Sequence, residues 1–186
     1  MTVSILVAGC GALGSRIAME IAAPGVRLTL LDFDTVNENN VTNGTSAFNR
    51  EALGARKTEA LASMSYRRYR QPAQVWNATL NESNAHRLLD FDLVVDAFDN
   101  VTARQLTTIA ANVLHVGVSA GDSGGCWWNE QYPMPTEVSG PPVCTNALGR
   151  TLLRVTATLA ATCVEEWMRF GSQRTVVTTT YLRIMG

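Results

Sequence analysis

The chain has no apolar run approaching the roughly 20 residues that cross a bilayer. Charged side chains make up only 17% of its 186 residues, and the net charge is −1. It therefore lacks the basic excess of a nucleic-acid or anionic-membrane binder. Its four cysteines, Cys10, Cys126, Cys144 and Cys163, include no C-x-x-C pair, so the spacing of a zinc site is missing. There are two histidines, His86 and His115, with no partner at catalytic or metal-ligand spacing. His115 lies in an apolar stretch and reads as a core histidine. No basic segment precedes the first apolar stretch, so a secretory leader is not expected and a reduced, cytoplasmic setting is. No repeat, low-complexity tract or linker interrupts the chain. The length and a hydrophobic content of 46% suit one globular domain over residues 1–186.

What is present is a strand–helix alternation. Residues 3–8 read as a buried parallel strand, 12–23 as a helix closed by Pro24-Gly25, and 26–31 as a second strand. Residues 33–50, rich in Asn and Thr, read as a loop with room for a helical turn. A helix over 51–69, a strand over 74–79, a short helix over 84–89 and a strand over 91–96 follow. Then come a helix over 102–112 and a strand over 114–119. Residues 120–144, rich in Gly, Pro and Trp, read as irregular or antiparallel. A long apolar helix over 147–170 and a β-branched strand over 175–184 close the chain. This order predicts an α/β, Rossmann-like fold: a mostly parallel sheet with helices on both faces and an antiparallel C-terminal addition.

The segment Gly9-Cys10-Gly11-Ala12-Leu13-Gly14 is a G-x-G-x-x-G turn between a strand and a helix. Gly9 permits the tight turn, Gly11 lets backbone approach a phosphate, and Gly14 lets the helix sit close to the sheet. The helix N-terminus offers N–H donors and a positive dipole end to an anion. Asp32 ends the second strand, where the ribose hydroxyls of NAD and ATP alike would sit. Asp34 reads as a turn or cap residue or as a ligand contact.

Three further blocks separate these nucleotides. Asp32-Phe33-Asp34-Thr35-Val36-Asn37-Glu38-Asn39-Asn40-Val41 resembles the D-x-D-x-V-x-x-x-N-L pattern of the ThiF/MoeB superfamily, the ATP-binding fold shared with ubiquitin-activating enzymes. Gly54-Ala55-Arg56-Lys57 resembles its G-x-x-K segment. Val94-Val95-Asp96-Ala97-Phe98-Asp99-Asn100-Val101-Thr102-Ala103-Arg104 resembles its V-x-D-x-x-D-N-x-x-x-R segment. The resemblance implies an ATP- and Mg²⁺-dependent adenylyltransferase acting on the C-terminal carboxylate of a small ubiquitin-like or sulfur-carrier protein or a peptide. It also implies a homodimer; the charge balance and the lack of a long apolar run are what leave nucleic acid and membrane out as expected partners. The nucleotide would be held by Gly9, Gly11, Ala12, Leu13, Gly14, Asp32, Asp34, Asn40 and Lys57. Lys57 would place a point charge on the phosphates, and Asp99 would hold Mg²⁺. Lys57 also reads as a solvated helix lysine, and Asp99 as the N-cap of the next helix. Asp96 reads as a turn residue, and Arg104 as a partner of Asp99 or Asp96 or a solvated arginine.

Cys144 follows Pro141-Pro142-Val143 and resembles the position where some members carry the activated acyl group; a buried, inert thiol is the other reading. The aromatic and proline-bearing stretch Trp127, Trp128, Tyr132, Pro133, Met134 and Pro135 suits a cover over the nucleotide, a docking surface or interface packing. The family pattern continues with x-R-Q, and its arginine contacts the triphosphate. Here those two positions fall on Asn43 and Gly44, with Arg16, Arg50 and Arg56 as substitutes for the missing charge. That change admits a second reading, a nucleotide-binding interaction protein with impaired catalysis. A nicotinamide-dependent oxidoreductase fits the first 34 residues but gives Lys57 and Asp99 no task.

Overall fold

A computed structural model describes residues 2–118, 123–136, 147–171 and 177–180. Within them β1 (Val3–Ala8), β2 (Val26–Leu31), β3 (Gln74–Trp76), β4 (Leu93–Asp96), β5 (Val113–Val118), β6 (Ser123–Trp128) and β7 (Val177–Thr180) form one sheet in the order β3-β2-β1-β4-β5-β6-β7. The first five strands pair in parallel; β6 runs antiparallel to β5, and β7 antiparallel to β6. The strand order reverses at β1, between β2 and β4. Ligands of open α/β sheets bind at such a switch point, beyond the carboxyl ends of the strands.

Side chains of β1 alternate between two cores, as a strand's period of two requires. Ile5 and Val7 join Ile17 of α1 (Ala12–Ile21), Leu61 of α3 (Lys57–Tyr69) and Ala157, Ala160 and Val164 of α5 (Ala147–Phe170). Leu6 and Ala8 face Trp76, Leu88 and Val113, with Leu106 of α4 (Val101–Thr107) beside them. Helices thus cover both faces, and the expected architecture is the one observed. A Cβ on Gly124 would come within 2.5 Å of Thr156 Oγ1, so α5 lies directly on the backbone of β6. Among the described residues no helix is long and apolar enough to cross a membrane.

Several boundaries differ from the sequence reading. The helix expected over 51–69 is a short 3-10 turn, Arg50–Ala52, followed by a break and then α3. Residues 54–56 are drawn out of helical form by residues 35 and 36. Gly54 donates to the Val36 carbonyl, Val36 donates to the Ala55 carbonyl, and Thr35 bridges Arg56. Gly54 holds φ at +80°, a left-handed conformation that glycine supplies at little cost. The result places Lys57 at the first turn of α3. β3 stops at Trp76, not 79, because its neighbour β2 ends at Leu31. The 84–89 segment is a 3-10 helix, Ala85–Asp90. α4 ends five residues before the expected 112; there the Thr107 and Thr108 hydroxyls donate to the Arg104 and Gln105 carbonyls. Inside the 33–50 loop, α2 (Glu38–Thr42) is closed by a reciprocal capping box of Asn37 and Asn40.

Candidate functional site

The glycine turn sits at the end of β1. Gly9 has φ +89°, and a Cβ there would lie 2.9 Å from the Ala97 carbonyl carbon, so only glycine fits. At Gly14 an added Cβ would fall 1.8 Å from the Gly9 carbonyl oxygen, which is how closely α1 presses on the turn. Gly11 is the opposite case: a Cβ there meets nothing within 4 Å. The space before Gly11 is open, and Gly11 is the N-cap of α1, which has no side-chain cap and no acidic residue in its first turn. Its leading N–H groups are thus left to an external acceptor.

β2 delivers the acid side of the site. Asp32 is buried; its Oδ2 accepts the Cys10 N–H at 2.7 Å and its Oδ1 the Asp34 N–H at 2.8 Å. Those bonds fix the carboxylate against the glycine turn while its remaining lone pairs stay available to hydroxyl donors. Lys57 arrives from the start of α3. Its Nζ donates to Asp34 Oδ2 at 2.7 Å and stands 4.0 Å from Asp32 Oδ2. It is a buried cation between two carboxylates, not a solvated lysine. Asp34 is a ligand of Lys57 and not a helix cap. Its carboxylate is 47% exposed, so the outer partner of the pair faces water and can exchange for another anion.

The third piece follows β4. Ala97 donates to the Ala8 carbonyl at 2.8 Å, which seats the 97–99 turn against the end of β1. Asn100, not Asp99, caps α4, its Oδ1 accepting the Ala103 N–H at 2.8 Å. Asp99 is exposed and has no hydrogen bond or ion pair among the described residues. Arg104 pairs with Asp96 at 3.4 Å and with the Val116 carbonyl at 2.8 Å, not with Asp99. Asp96 is no mere turn residue: it is wholly buried, with His115 Nδ1 2.7 Å from its Oδ2. The sequence reading offered the Asp96–Arg104 pair as one alternative but missed His115 as its third member.

Ligand fit follows from these groups. Open space before uncapped N–H groups, a buried cation and a fixed carboxylate suit a nucleotide's phosphates and ribose. One exposed carboxylate suits Mg²⁺, which takes one or two protein carboxylates together with phosphate oxygens. Among the described residues there is no group of three or more His, Cys, Asp or Glu placed to hold a metal alone.

Other expected contributors have different duties. Asn40 is spent on the α2 capping box, and its carbonyl accepts the Ser46 hydroxyl. Arg16 donates to the carbonyls of Gly44, Thr45 and Ser46, and Arg154 reaches Gly44 at 3.2 Å. Burial, and Arg154 beside it, lower the pKa of Arg16. Positive charge thus does stand beside the loop that carries Asn43, but the Nε and Nη2 donors of Arg16 are committed to that loop's carbonyls. Arg56 donates to the Phe33 carbonyl. Cys144 lies outside the described residues. Burial pushes the Cys10 thiol well up, with Asp32 adding to the effect. The Cys126 contact at 3.4 Å, together with burial, pushes Cys163 up. We expect Cys10, Cys126 and Cys163 to alkylate at least about 100-fold more slowly in the native chain than in urea. Peptide mapping after an iodoacetamide time course reads this out.

Residues 1–183 match the model of the ThiF family. Over 113 residues the chain is 34% identical to the pig (Sus scrofa) adenylyltransferase and sulfurtransferase MOCS3, covering 59% of this chain and 24% of that protein. The chain thus spans about a quarter of the length of this curated relative. In fold it is similar to PaaA, with a TM-score of 0.74, 15% identity and coverage of 98% of this chain and 62% of that one. Escherichia coli MccB crystallised with ATP gives a TM-score of 0.73 and 16% identity, with 96% of this chain and 63% of that one covered.

Proposed function

The chain belongs to the ThiF family, and from that premise we propose that it activates a carboxylate by adenylation with ATP. The acceptor is the C-terminus of a small ubiquitin-like or sulfur-carrier protein or of a peptide. One observation carries the reading: α3 begins at Lys57 and sets its ammonium 2.7 Å from Asp34, against the carboxyl end of β2 and beside the glycine turn. The name of the MOCS3 relative, an adenylyltransferase and sulfurtransferase, supports it.

In this mechanism the N–H groups at the start of α1 hold phosphate oxygens in the space before Gly11. Asp32, oriented by Cys10 and Asp34, accepts from the ribose hydroxyls. A carboxylate oxygen of the acceptor attacks the α-phosphorus, the bond to the bridging oxygen breaks, and its electron pair leaves with pyrophosphate. The reaction needs alignment and charge neutralisation more than an acid or a base. Lys57 exchanges Asp34 for a phosphate oxygen; because Asp34 is half-exposed, releasing it to water costs little. Asp99 would hold Mg²⁺, which neutralises phosphate charge when bound.

The test is to incubate the chain with ATP, Mg²⁺ and a panel of ubiquitin-like proteins and to weigh the acceptors intact. The expected product is an acceptor heavier by one adenylyl group, lost on treatment with hydroxylamine. Asn43 favours a second reading, nucleotide binding without activation, because it leaves out a charge worth about 3 kcal/mol of transition-state stabilisation. ATP binding with no adenylated acceptor across the panel would select that reading.

A further inference from the structure

Behind the turn that carries Asp99 lies a polar cluster with no part in the chemistry above. His115 of β5 is wholly buried and is the register partner of Asp96 on β4. Its Nδ1 is 2.7 Å from Asp96 Oδ2, and its Nε2 is 3.1 Å from Asn129 Oδ1. Asn129 is oriented in turn by donating to the Thr108 carbonyl at 3.2 Å. Tyr132 stacks on the imidazole with ring centres 4.2 Å apart and planes 12° apart. The guanidinium of Arg104 lies 5.5 Å from the centre of that same Tyr132 ring. Placing an acid, a guanidinium and an imidazole together in the interior incurs desolvation that apolar side chains would avoid. What the cluster delivers is geometry.

The two oxygens of Asp96 have separate tasks. Oδ2 takes His115 at 2.7 Å and Arg104 at 3.4 Å. Oδ1 accepts the Phe98 N–H at 3.0 Å and so shapes the 97–99 turn. The histidine contact is the shorter of the two on Oδ2, and the ring behind it is clamped by Asn129 and covered by Tyr132. Rotation of the Asp96 carboxylate is therefore set by His115. Resting on the reading of Asp99 given above, we infer that His115 is a positioning residue. It fixes Asp96, which fixes the Phe98 N–H, which holds the turn presenting Asp99 to a divalent cation.

Two readouts test this. Amide exchange at Phe98, followed by NMR, reports on the turn whatever the protein's activity. Calorimetry of ATP binding across a Mg²⁺ titration, with an EDTA reference, reports on the cation. His115→Leu should speed Phe98 exchange by about tenfold or more while β1 amides keep their protection. It should also raise the Mg²⁺ concentration for half-maximal binding by about tenfold and leave ATP affinity in EDTA within about twofold. His115→Asn, whose amide can take the place of Nδ1, should stay within about threefold of wild type on the Mg²⁺ titration. Asn129→Leu, at the half-buried rim, serves if the leucine variant does not fold; its expected Mg²⁺ shift is about threefold in the same direction. Phe98 protection that survives in these variants, or ATP affinity in EDTA that falls in step with Mg²⁺ response, overturns the inference. Wild-type binding indifferent to Mg²⁺ overturns instead the assignment of Asp99, and the exchange result then decides the positioning alone.

Discussion

Gly11→Ala is expected to fold and to lose its nucleotide, whereas Gly14→Ala is expected to lose the fold. The two glycines lie three residues apart in one motif, yet their surroundings differ completely. A methyl group on Gly11 meets no atom within 4 Å. The cost to the protein is that of alanine replacing glycine at a helix N-cap, at most about 1 kcal/mol. The methyl instead enters the space reserved for phosphate and blocks a charge-assisted hydrogen bond worth about 1.5–3 kcal/mol. ATP affinity should therefore fall about 10- to 100-fold. On Gly14 the same methyl lands 1.8 Å from the Gly9 carbonyl oxygen. Neither atom can yield without moving α1 or the turn, so destabilisation of about 3 kcal/mol or more is expected. Thermal melts and ATP titrations on the two variants measure both effects. Equal loss of stability in both would mean that the space before Gly11 is not a ligand cradle.

Lys57→Met should cost about 10²- to 10³-fold in the adenylation rate in a chain that still folds. The replacement nearly conserves volume in a buried position. It leaves Asp34 with water, but the buried Asp32 keeps only its two backbone donors, so the fold should lose about 1–3 kcal/mol. The phosphates, by contrast, would meet two carboxylates with no cation between them. Lys57→Arg would not restore the rate, because a guanidinium forks onto Asp34 and is not a compact point charge. Single-turnover kinetics of acceptor adenylation, beside urea denaturation of the same samples, separate these outcomes. A Lys57→Met enzyme that keeps its rate would remove Lys57 from the mechanism.

The parts of this site that were legible in the sequence are those made by local chain geometry. The β1 strand, the glycine turn and α1 follow one another directly, and each glycine's task follows from its spacing. Lys57 and Asp99 could be named from the blocks around them, but their surroundings could not. That Lys57 stands at a helix start depends on Gly54 and Val36 pairing, a tertiary contact that overrides the helical periodicity of 51–69. That Asp96 and His115 meet depends on the β4–β5 register, which joins residues 19 apart in the chain. A histidine inside an apolar strand carries no local mark of its partner. An acid at the end of one parallel strand and a histidine inside the next would have been the only hint. Arg16 was available in the sequence as a replacement for the arginine missing at Asn43. Only the fold showed its donors bound to the 44–46 carbonyls.

In the proposed function this site transfers an adenylyl group and does not merely hold a nucleotide. Exchange of labelled pyrophosphate into ATP measures that step directly, because label enters ATP only if an acyl-adenylate forms and reverses. Exchange is expected to require both Mg²⁺ and an acceptor with an intact C-terminal carboxylate, and to be lost in Lys57→Met. Tight ATP binding with no exchange, across a panel of ubiquitin-like and peptide carboxyl termini, would contradict it.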